Sequence, residues 1–339
     1  MKKKAENNSF CSAPFSQLVL KPDGNVSPCC YLYHVKLGNL KEKSLLDIWN
    51  DKPIQKMRSE FLSSTPKQCK SKIKYLGCNR FFEELDASVE RRFKQTAPPR
   101  KLDLRLNGQC NLSCIMCDVW KAPNATYNQT SFWEQGPKEV FPFLKEIEVL
   151  GGEPFIQKDT YKLIHAVNTS NKNCRWSFVT NAHYNFTKKL EKTLNQLNLK
   201  QIQISLDSLK PCTYQHIRKG GDLMQTLKTI QDFVKFRKNY QETFGNDFTF
   251  IISMCVLKSN RHEVPEFLDF CQQIEAQAQF QHAFYDPSQQ ESLSLLNKEA
   301  KNEYLTFLKE NVKQEFWPSL SAVTKPLQDE LQNKKYANS

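Results

Sequence analysis

Residues 102–117 read LDLRLNGQCNLSCIMC, in which a short alternating run leads into a loop rich in cysteine. The leucines of the first half alternate with polar residues, which is typical of a β-strand with one buried face. Three cysteines follow this strand, at spacings of four and three residues: Cys110, Cys114 and Cys117. The stretch therefore predicts a strand whose carboxyl end carries three thiols.

The second part of the chain alternates between strand-like and helix-like segments. Five more strand-like runs follow the first, at 146–152, 176–181, 201–207, 249–257 and 277–285, with helical periodicity between them. A strand followed by a helix, repeated about six times, predicts a parallel sheet with right-handed crossovers. Six units are fewer than the eight of a closed barrel, so we expect an α/β fold built on a partial (β/α)6 TIM-like barrel. In such sheets the chemistry gathers at the carboxyl ends of the strands.

Breaks in this pattern divide the chain into three predicted parts. The first, 1–97, holds five cysteines, a hairpin signal in LVLKPDGNVSPC and a helix signal over 44–62, and we expect a small α+β domain there. A pair of prolines separates it from the barrel core, 98–290. Residues 291–339 are expected to form a C-terminal helical tail.

Composition and charge indicate the cellular compartment and the kinds of partner to expect. The 339 residues begin without a secretory signal and include no apolar run of membrane-spanning length, so we expect a cytoplasmic protein with no membrane partner. Thiols stay reduced in the cytoplasm, so twelve cysteines indicate metal ligation or redox chemistry more than disulfides. The net charge of +12 favours an anionic partner, yet the scattered lysines fit a solvated surface better than a nucleic-acid-binding arm.

Three thiols on one short loop can converge on a single metal centre. Tetrahedral zinc would need a fourth ligand, and the next ten residues, DVWKAPNATY, contain no cysteine or histidine. A cubane iron–sulfur cluster offers another solution, in which three irons take thiolates and the fourth stays open for a substrate. A zinc site completed by a distant residue is the alternative.

The spacing CX3CX2C after a first β-strand, with Met116 before the last cysteine, resembles the radical S-adenosylmethionine (SAM) superfamily. The resemblance implies that Cys110, Cys114 and Cys117 hold a catalytic [4Fe-4S] cluster whose open iron is chelated by SAM. It also implies that one electron from the cluster cleaves SAM, and that the resulting 5′-deoxyadenosyl radical abstracts a hydrogen atom from the substrate.

Later stretches resemble the other motifs of that superfamily, in the expected order. GGEP ends the second barrel strand, TNA stands where relatives often have TNG, SLDS stands where they commonly read SLDG, and TYQHIR resembles their TYxxIR segment. The resemblance implies SAM-binding roles for seven residues: Gly151, Gly152, Glu153, Asn181, Ser205, Asp207 and Arg218. Asn260, after the fifth strand, is a further candidate for an adenosine contact.

The first ninety residues resemble the twitch and SPASM auxiliary-cluster domains of radical SAM enzymes, although such domains usually follow the barrel. The shared features are a CX9–15GX4C spacing, an LGNL…DIWN segment and later cysteines after a proline. Two cysteines of the usual second run are replaced by Lys72 and Phe82, which favours one auxiliary cluster over two. The resemblance implies a second [4Fe-4S] cluster held by four cysteines: Cys11, Cys29, Cys69 and Cys78. A structural zinc site is the alternative, because four thiolates suit zinc equally well.

These features predict an iron–sulfur, SAM-dependent radical enzyme, an oxidoreductase in the broad sense. The resemblance implies a reductant protein of the flavodoxin or ferredoxin type and favours a peptide or protein side chain as the substrate. A small metabolite, a nucleotide or sugar, is the alternative substrate. A zinc-stabilised nucleic-acid-binding protein is a more distant alternative, which would leave GGEP and the strand–helix alternation unexplained.

Overall fold

The computed structural model describes residues 11–63, 69, 89–283 and 290–332. Its strands are β1 (Gln17–Leu20), β2 (Asn25–Ser27), β3 (Gly38–Asn39), β4 (Lys101–Leu104), β5 (Glu146–Val149), β6 (Arg175–Thr180), β7 (Asn198–Ser205), β8 (Thr249–Val256) and β9 (Gln277–His282). Its helices are α1 (Ala13–Ser16), α2 (Leu45–Trp49), α3 (Lys52–Ser63), α4 (Phe132–Gln135), α5 (Lys158–Ser170), α6 (Lys188–Leu194), α7 (Pro211–Ile217), α8 (Leu223–Phe244), α9 (Val264–Gln273), α10 (Lys298–Asn311) and α11 (Ser321–Leu331).

The nine strands of the described ranges form one sheet, in the order β3-β2-β1-β4-β5-β6-β7-β8-β9. From β4 to β9 the strands are parallel and follow chain order, with helical segments between them. The predicted series of six β/α units is therefore confirmed, and so is the α/β class. Since parallel neighbours end at the same edge, the loops after β4 to β9 share one rim of the sheet.

The two faces of the barrel strands differ in chemistry. In β4 the buried Leu102 and Leu104 belong to the main hydrophobic core, as do Ile147 and Val149 in β5, and this core includes the inner sides of the surrounding helices. Most alternate positions carry charged or polar side chains, such as Asp103 between the two leucines, although Val179 and Ile251 on the same face are apolar. Successive side chains point to opposite faces, so the face away from the helices is polar. This polar inner face lines the interior of the partial barrel.

The N-terminal region is joined to the barrel through the sheet. The predicted hairpin is confirmed, because β1 and β2 pair antiparallel across a Pro-Asp-Gly turn. In addition, β1 runs parallel to β4, with Leu18 opposite Leu102 and Leu20 opposite Leu104. Trp49 holds the segment that leads into β4, since its Nε1 donates to the carbonyl oxygen of Ala97 at 2.9 Å. The sheet therefore runs without a break past the predicted boundary at 97/98, which itself stays a prediction.

The helix predicted over 44–62 is wrong as a single element. The structure has two helices there, α2 and α3, separated by Asn50 and Asp51. Pro53 is the second residue of α3, where its missing amide hydrogen costs nothing. Within a continuous helix its ring would instead clash with the carbonyl of Trp49, so the chain must begin a new helix.

The C-terminal tail is helical, as predicted. Both α10 and α11 bury apolar side chains in the main core, among them Leu308 and Leu327, and Lys301 pairs with Glu330 at 2.8 Å. None of the helices in the described ranges combines the length and apolar character needed to cross a membrane.

Candidate active site

The three-cysteine loop follows β4 at the carboxyl rim of the sheet, as the strand assignment predicts. Two backbone hydrogen bonds tie it to the end of α7: the Ser113 amide donates to Lys219 at 3.0 Å, and the Ile115 amide donates to Ile217 at 2.9 Å. Within the loop the Cys117 amide donates to the Cys114 carbonyl at 3.1 Å, which closes a turn around the thiols. The loop is thus fixed by its own backbone and by a neighbouring strand–helix unit.

The thiols of this loop share a partly buried environment. Burial raises the pKa of Cys110 and of Cys117, and it raises the pKa of Cys114 to about 11. A negative charge on Cys117 raises the pKa of both other thiols, so the three groups lie close enough to interact. The Arg218 guanidinium opposes this effect at Cys114 and favours its thiolate. Deprotonation at all three positions would therefore accompany binding of a positively charged metal centre.

No group of three or more histidine, cysteine or acidic side chains in the described ranges is arranged to hold a metal ion. A cubane sets a different requirement from a single ion, because each thiolate binds a different iron and the sulfurs stand further apart. The donor chemistry of the loop suits such a cluster: three thiols, a nearby guanidinium, and an amide that donates to one sulfur.

The two glycines that follow β5 pack directly against the start of the cysteine loop. Gly151 and Gly152 have φ values of +89° and +56°, which favour glycine. A Cβ on Gly152 would clash with the carbonyl oxygen of Gln109, the residue before Cys110. That carbonyl accepts from the Glu153 amide at 2.8 Å and from Gln157 Nε2 at 2.9 Å. The glycine turn therefore sets the position of the first cysteine.

Glu153 is fully buried, and its carboxylate accepts three hydrogen bonds. One oxygen accepts from the Phe155 amide at 3.0 Å and from Thr180 Oγ1 at 2.8 Å, and the other accepts from the Asn181 amide at 2.7 Å. Burial raises the pKa of Glu153 to about 7, although these donors favour the charged form. The side chain thus ties the loop after β5 to the loop after β6.

Asn181 reaches from the end of β6 to the cysteine loop. Its Nδ2 lies 3.6 Å from Cys110 Sγ and donates to Asn111 Oδ1 at 3.0 Å. The next residue, Ala182, has a φ of +53°, so alanine occupies a left-handed position that glycine would adopt without strain. The replacement of glycine by alanine in TNA has thus not removed the turn.

A buried ion pair lies beside Cys114. Arg218 Nη2 is 2.7 Å from Asp207 Oδ2, and Arg218 Nη1 is 4.0 Å from Cys114 Sγ. Burial alone would lower the pKa of Arg218, but the Asp207 carboxylate raises it above its ordinary value. Arg218 Nε has no hydrogen-bond partner within the described part of the chain. This buried donor is available to an anionic group such as the carboxylate of SAM.

The remaining predicted contacts have different surroundings. Ser205 ends β7, with its Oγ 3.4 Å from Ser253 Oγ. Asn260 is buried and holds the backbone, since its Nδ2 donates to the carbonyls of Asp207 at 2.7 Å and Cys255 at 3.0 Å. The structure thus places Asn260 as a support for the loop that carries Asp207.

His183 is a residue of the site that the sequence motifs did not identify. Its Nε2 accepts from the Asp222 amide at 2.9 Å, and its Nδ1 lies 3.3 Å from Asn111 Nδ2. Burial lowers the pKa of His183. Its only signal in the sequence is its place two residues after Asn181, so it would have been found only by treating the whole strand end as a site.

In the N-terminal region three of the four predicted cluster ligands come together. Cys11, Cys29 and Cys69 lie in one buried cluster with apolar side chains that include Phe15 and Met57. Cys78 lies outside the described residues. These three cysteines, from sequence positions almost sixty residues apart, thus belong to one apolar cluster, and their role as a common ligand set stays a prediction.

Comparisons with known proteins match both halves of this description. A model of an iron–sulfur cluster-binding SPASM domain matches residues 11–72, and the model of the radical SAM superfamily matches residues 105–271. The SPASM match thus precedes the radical SAM match. The two domain types imply [4Fe-4S] clusters.

Several curated relatives carry the name GTP 3′,8-cyclase. The protein from Campylobacter lari is 28% identical over 212 residues, which cover 58% of this chain and 61% of that protein. The protein from Clostridium botulinum strain Hall is 30% identical over 138 residues, which cover 38% of this chain and 42% of that protein. The matched segments thus span about half the length of these relatives.

Two solved structures resemble the chain at lower identity. The structure of anSMEcpe with bound AdoMet is 18% identical, with a TM-score of 0.45, and the match covers 70% of this chain and 63% of that one. The structure of Streptococcus suis SuiB bound to the precursor peptide SuiA is 15% identical, with a TM-score of 0.43, and the match covers 88% and 72% of the two chains.

Proposed function

The chain belongs to the radical SAM superfamily, and we propose that it is an enzyme that cleaves SAM reductively to act on a small anionic metabolite of the nucleotide class. The observation that carries the proposal is the meeting of four strand ends around one loop. The cysteine loop after β4 touches the glycine turn after β5, Asn181 after β6 and the guanidinium that pairs with Asp207 after β7. Polar groups that converge on one rim of a parallel sheet are typical of a catalytic site.

When bound, the cluster supplies the electron that splits SAM into methionine and a 5′-deoxyadenosyl radical. The protein's role is to hold the cluster and to orient SAM. Cys110, Cys114 and Cys117 would ligate three irons, and Arg218 Nε would donate to the SAM carboxylate. Glu153 would keep the glycine turn and Asn181 at a fixed separation, because its three accepted hydrogen bonds join the two loops.

The substrate class rests on the inner face of the barrel and on the curated relatives. That face carries charged and amide side chains, such as Asp103 and Gln203, where a hydrophobic peptide side chain would find few partners. The curated relatives act, by name, on GTP. These observations favour the metabolite alternative over the peptide substrate that the sequence motifs favoured.

The auxiliary domain would hold a second [4Fe-4S] cluster through Cys11, Cys29, Cys69 and Cys78. The apolar surroundings of Cys11, Cys29 and Cys69 would limit access of water and oxygen to that cluster. A flavodoxin or ferredoxin would supply the electrons, and the reduced thiols suit a cytoplasmic enzyme.

The test is anaerobic reconstitution of the full chain with iron and sulfide, followed by reduction with dithionite. We expect about eight irons per chain, four per cluster, and conversion of SAM to 5′-deoxyadenosine. Cys110→Ala should abolish the conversion, whereas Cys212→Ala, a change at an exposed cysteine on α7, should leave it intact. Zinc without iron, or unchanged cleavage by Cys110→Ala, would contradict the proposal.

A further inference from the structure

Two cations stand at the carboxyl ends of β1 and β4, and each lies close to the same aromatic ring. Lys21 follows β1 directly, and its Nζ lies 4.1 Å from the centre of the Tyr33 ring. Arg105 follows β4 directly, and its Cζ lies 4.5 Å from the same centre. The two positive groups are therefore at most about 9 Å apart, a separation comparable to the Debye length of about 8 Å at physiological ionic strength.

The location of this pair ties it to the inner face of the barrel. Val19 is in register with Asp103, and Lys21 and Arg105 each follow two residues later, so both side chains start from the polar face. Arg105 also lies beneath the glycine turn, since a Cβ on Gly151 would be 2.8 Å from Arg105 Cβ. The pair thus borders the loop that fixes the cysteines, at the rim where a substrate would sit.

Protein groups already interact with both cations, since Lys21 Nζ donates to the Tyr33 carbonyl oxygen and Arg105 forms an ion pair with Asp103. Asp103 is buried and lies 3.5 Å from Arg105 Nε, too far for a hydrogen bond. Asp23 is exposed, and its two oxygens accept from the amide and the side chain of Asn25 at 3.0 and 2.6 Å, within the β1–β2 turn. Arg105 Nε has no hydrogen-bond partner in the described ranges, although the side chain is only 19% exposed.

The pKa of Lys21 reflects the proximity of Arg105, whereas the Asp103 carboxylate raises the pKa of Arg105. Burial lowers the pKa of Lys21, and the Arg105 guanidinium lowers it further, although Asp23 opposes both. A phosphate between the two side chains would remove this repulsion, because it would supply negative charge to both.

We infer that Lys21 and Arg105, whose charged groups both approach the Tyr33 ring, bind a phosphate group of the substrate. The guanidinium would bind two phosphate oxygens through its planar fork, and the ammonium would act as a point charge. This inference rests on the proposed function, and it narrows the substrate to a phosphorylated metabolite.

The experiment uses the reconstituted full-length protein, with inorganic pyrophosphate as the probe in isothermal titration calorimetry. We expect wild-type protein to bind pyrophosphate, with an affinity that falls as salt is added. Lys21→Gln and Arg105→Gln should each weaken binding at least tenfold. Arg237→Gln is the matched control: it removes a cation on α8 that pairs with Asp247, and it should leave the affinity unchanged.

Succinate distinguishes a phosphate site from a carboxylate site. Binding of succinate as tight as that of pyrophosphate, with the same loss in Lys21→Gln, would overturn the phosphate assignment in favour of an acidic peptide. Absence of pyrophosphate binding by wild-type protein, or an unchanged, wild-type affinity in Lys21→Gln and Arg105→Gln, would overturn the site itself. If Arg105→Gln does not fold, as judged by thermal melting, Lys21→Gln alone decides. SAM cleavage by wild-type protein, measured separately, tests the proposed function, so the two failures can be distinguished.

Discussion

Two buried arginines show how differently the barrel and the N-terminal region stabilise a charge. Arg218, at the barrel rim, is 2.7 Å from the Asp207 carboxylate, which raises its pKa. Arg58, on α3, is equally inaccessible, yet no carboxylate of the described residues pairs with it, and burial lowers its pKa to about 9.

Neutral groups surround Arg58 instead. Its Nε donates to the Pro14 carbonyl at 2.8 Å, its Nη1 donates to the Phe93 carbonyl at 3.1 Å, and its guanidinium lies 4.1 Å from the centre of the Trp49 ring. In the barrel a carboxylate thus stabilises the charge of Arg218. In the N-terminal region backbone carbonyl groups and the Trp49 ring stabilise the charge of Arg58. Loss of a charge partner should therefore matter most in the barrel.

The largest expected effect is at Arg218. Arg218→Met would leave Asp207 buried and unpaired, and we expect a loss of about 3–5 kcal/mol in the free energy of unfolding. Urea denaturation monitored by circular dichroism measures the loss. Arg237→Met, which breaks an exposed pair with Asp247, should cost less than about 1 kcal/mol. Equal losses of unfolding free energy in the two variants would contradict the expectation that the buried ion pair contributes more than the exposed one.

The next effect concerns the backbone that holds the barrel site. Gly152→Ala would place a Cβ against the Gln109 carbonyl at a φ of +56°, and we expect a loss of about 3 kcal/mol from strain and displacement. Gly245→Ala has a similar φ of +66° but open space around the new Cβ, so only about 1 kcal/mol should be lost. Similar melting temperatures for the two variants would show that the tight packing at Gly152 does not matter.

A pH dependence follows from Glu153. Burial raises its pKa from 4.5 to about 7, so the folded protein retains a proton that the unfolded chain releases. The resulting stabilisation is complete below pH 4.5 and is lost as the pH rises through about 7; it amounts to about 3 kcal/mol. Glu153→Gln should remove this dependence between pH 4.5 and 7 in urea titrations, and Glu310→Gln, at an exposed position on α10, should retain it. A wild-type slope in Glu153→Gln would exclude Glu153 as its source.

The smallest effect is expected at Arg58. Arg58→Met removes a buried charge that pairs with no carboxylate of the described residues, but it leaves the carbonyls of Pro14 and Phe93 without their donor. We expect a net loss of about 1–2 kcal/mol, below that of Arg218→Met. Urea denaturation of Arg58→Met and Arg218→Met under the same conditions compares their losses of unfolding free energy. A larger loss in Arg58→Met would contradict the expected order.

The parts of the fold that repeat could be predicted from the sequence. Alternating runs such as 102–107 predicted four of the six barrel strands, because period-two burial leaves a local signal, and a longer apolar run at 249–257 predicted another. The residues that follow the neighbouring strands could also be placed on the rim that carries the three cysteines, because parallel strands end at the same edge of a sheet. Motif resemblance then supplied roles for single residues that no local pattern could give.

Long-range pairings and side-chain partners could not be predicted. Nothing local to β1 shows that Leu18 will lie opposite Leu102, because either edge of the barrel sheet would accept a strand. Glu153 was expected to meet SAM, and the three protein donors that surround its carboxylate come from two separate loops. The role of Lys21 beside Arg105 depends on the same unpredicted strand pairing. These features depend on which segments meet in space, which a single sequence does not encode in its local pattern.

The pairing of β1 with β4 limits how the N-terminal domain can be removed from this protein or transferred to another one. Excision of the residues before 100 would strip β4 of its neighbour and expose a row of unsatisfied amides and carbonyls, the kind of edge at which chains aggregate. A shortened protein would therefore require a charged or proline-bearing replacement edge to stay monodisperse. By the same reasoning, the N-terminal domain could be transferred to another barrel only if β1 were transferred with it, because β1 covers the edge of the barrel sheet at β4.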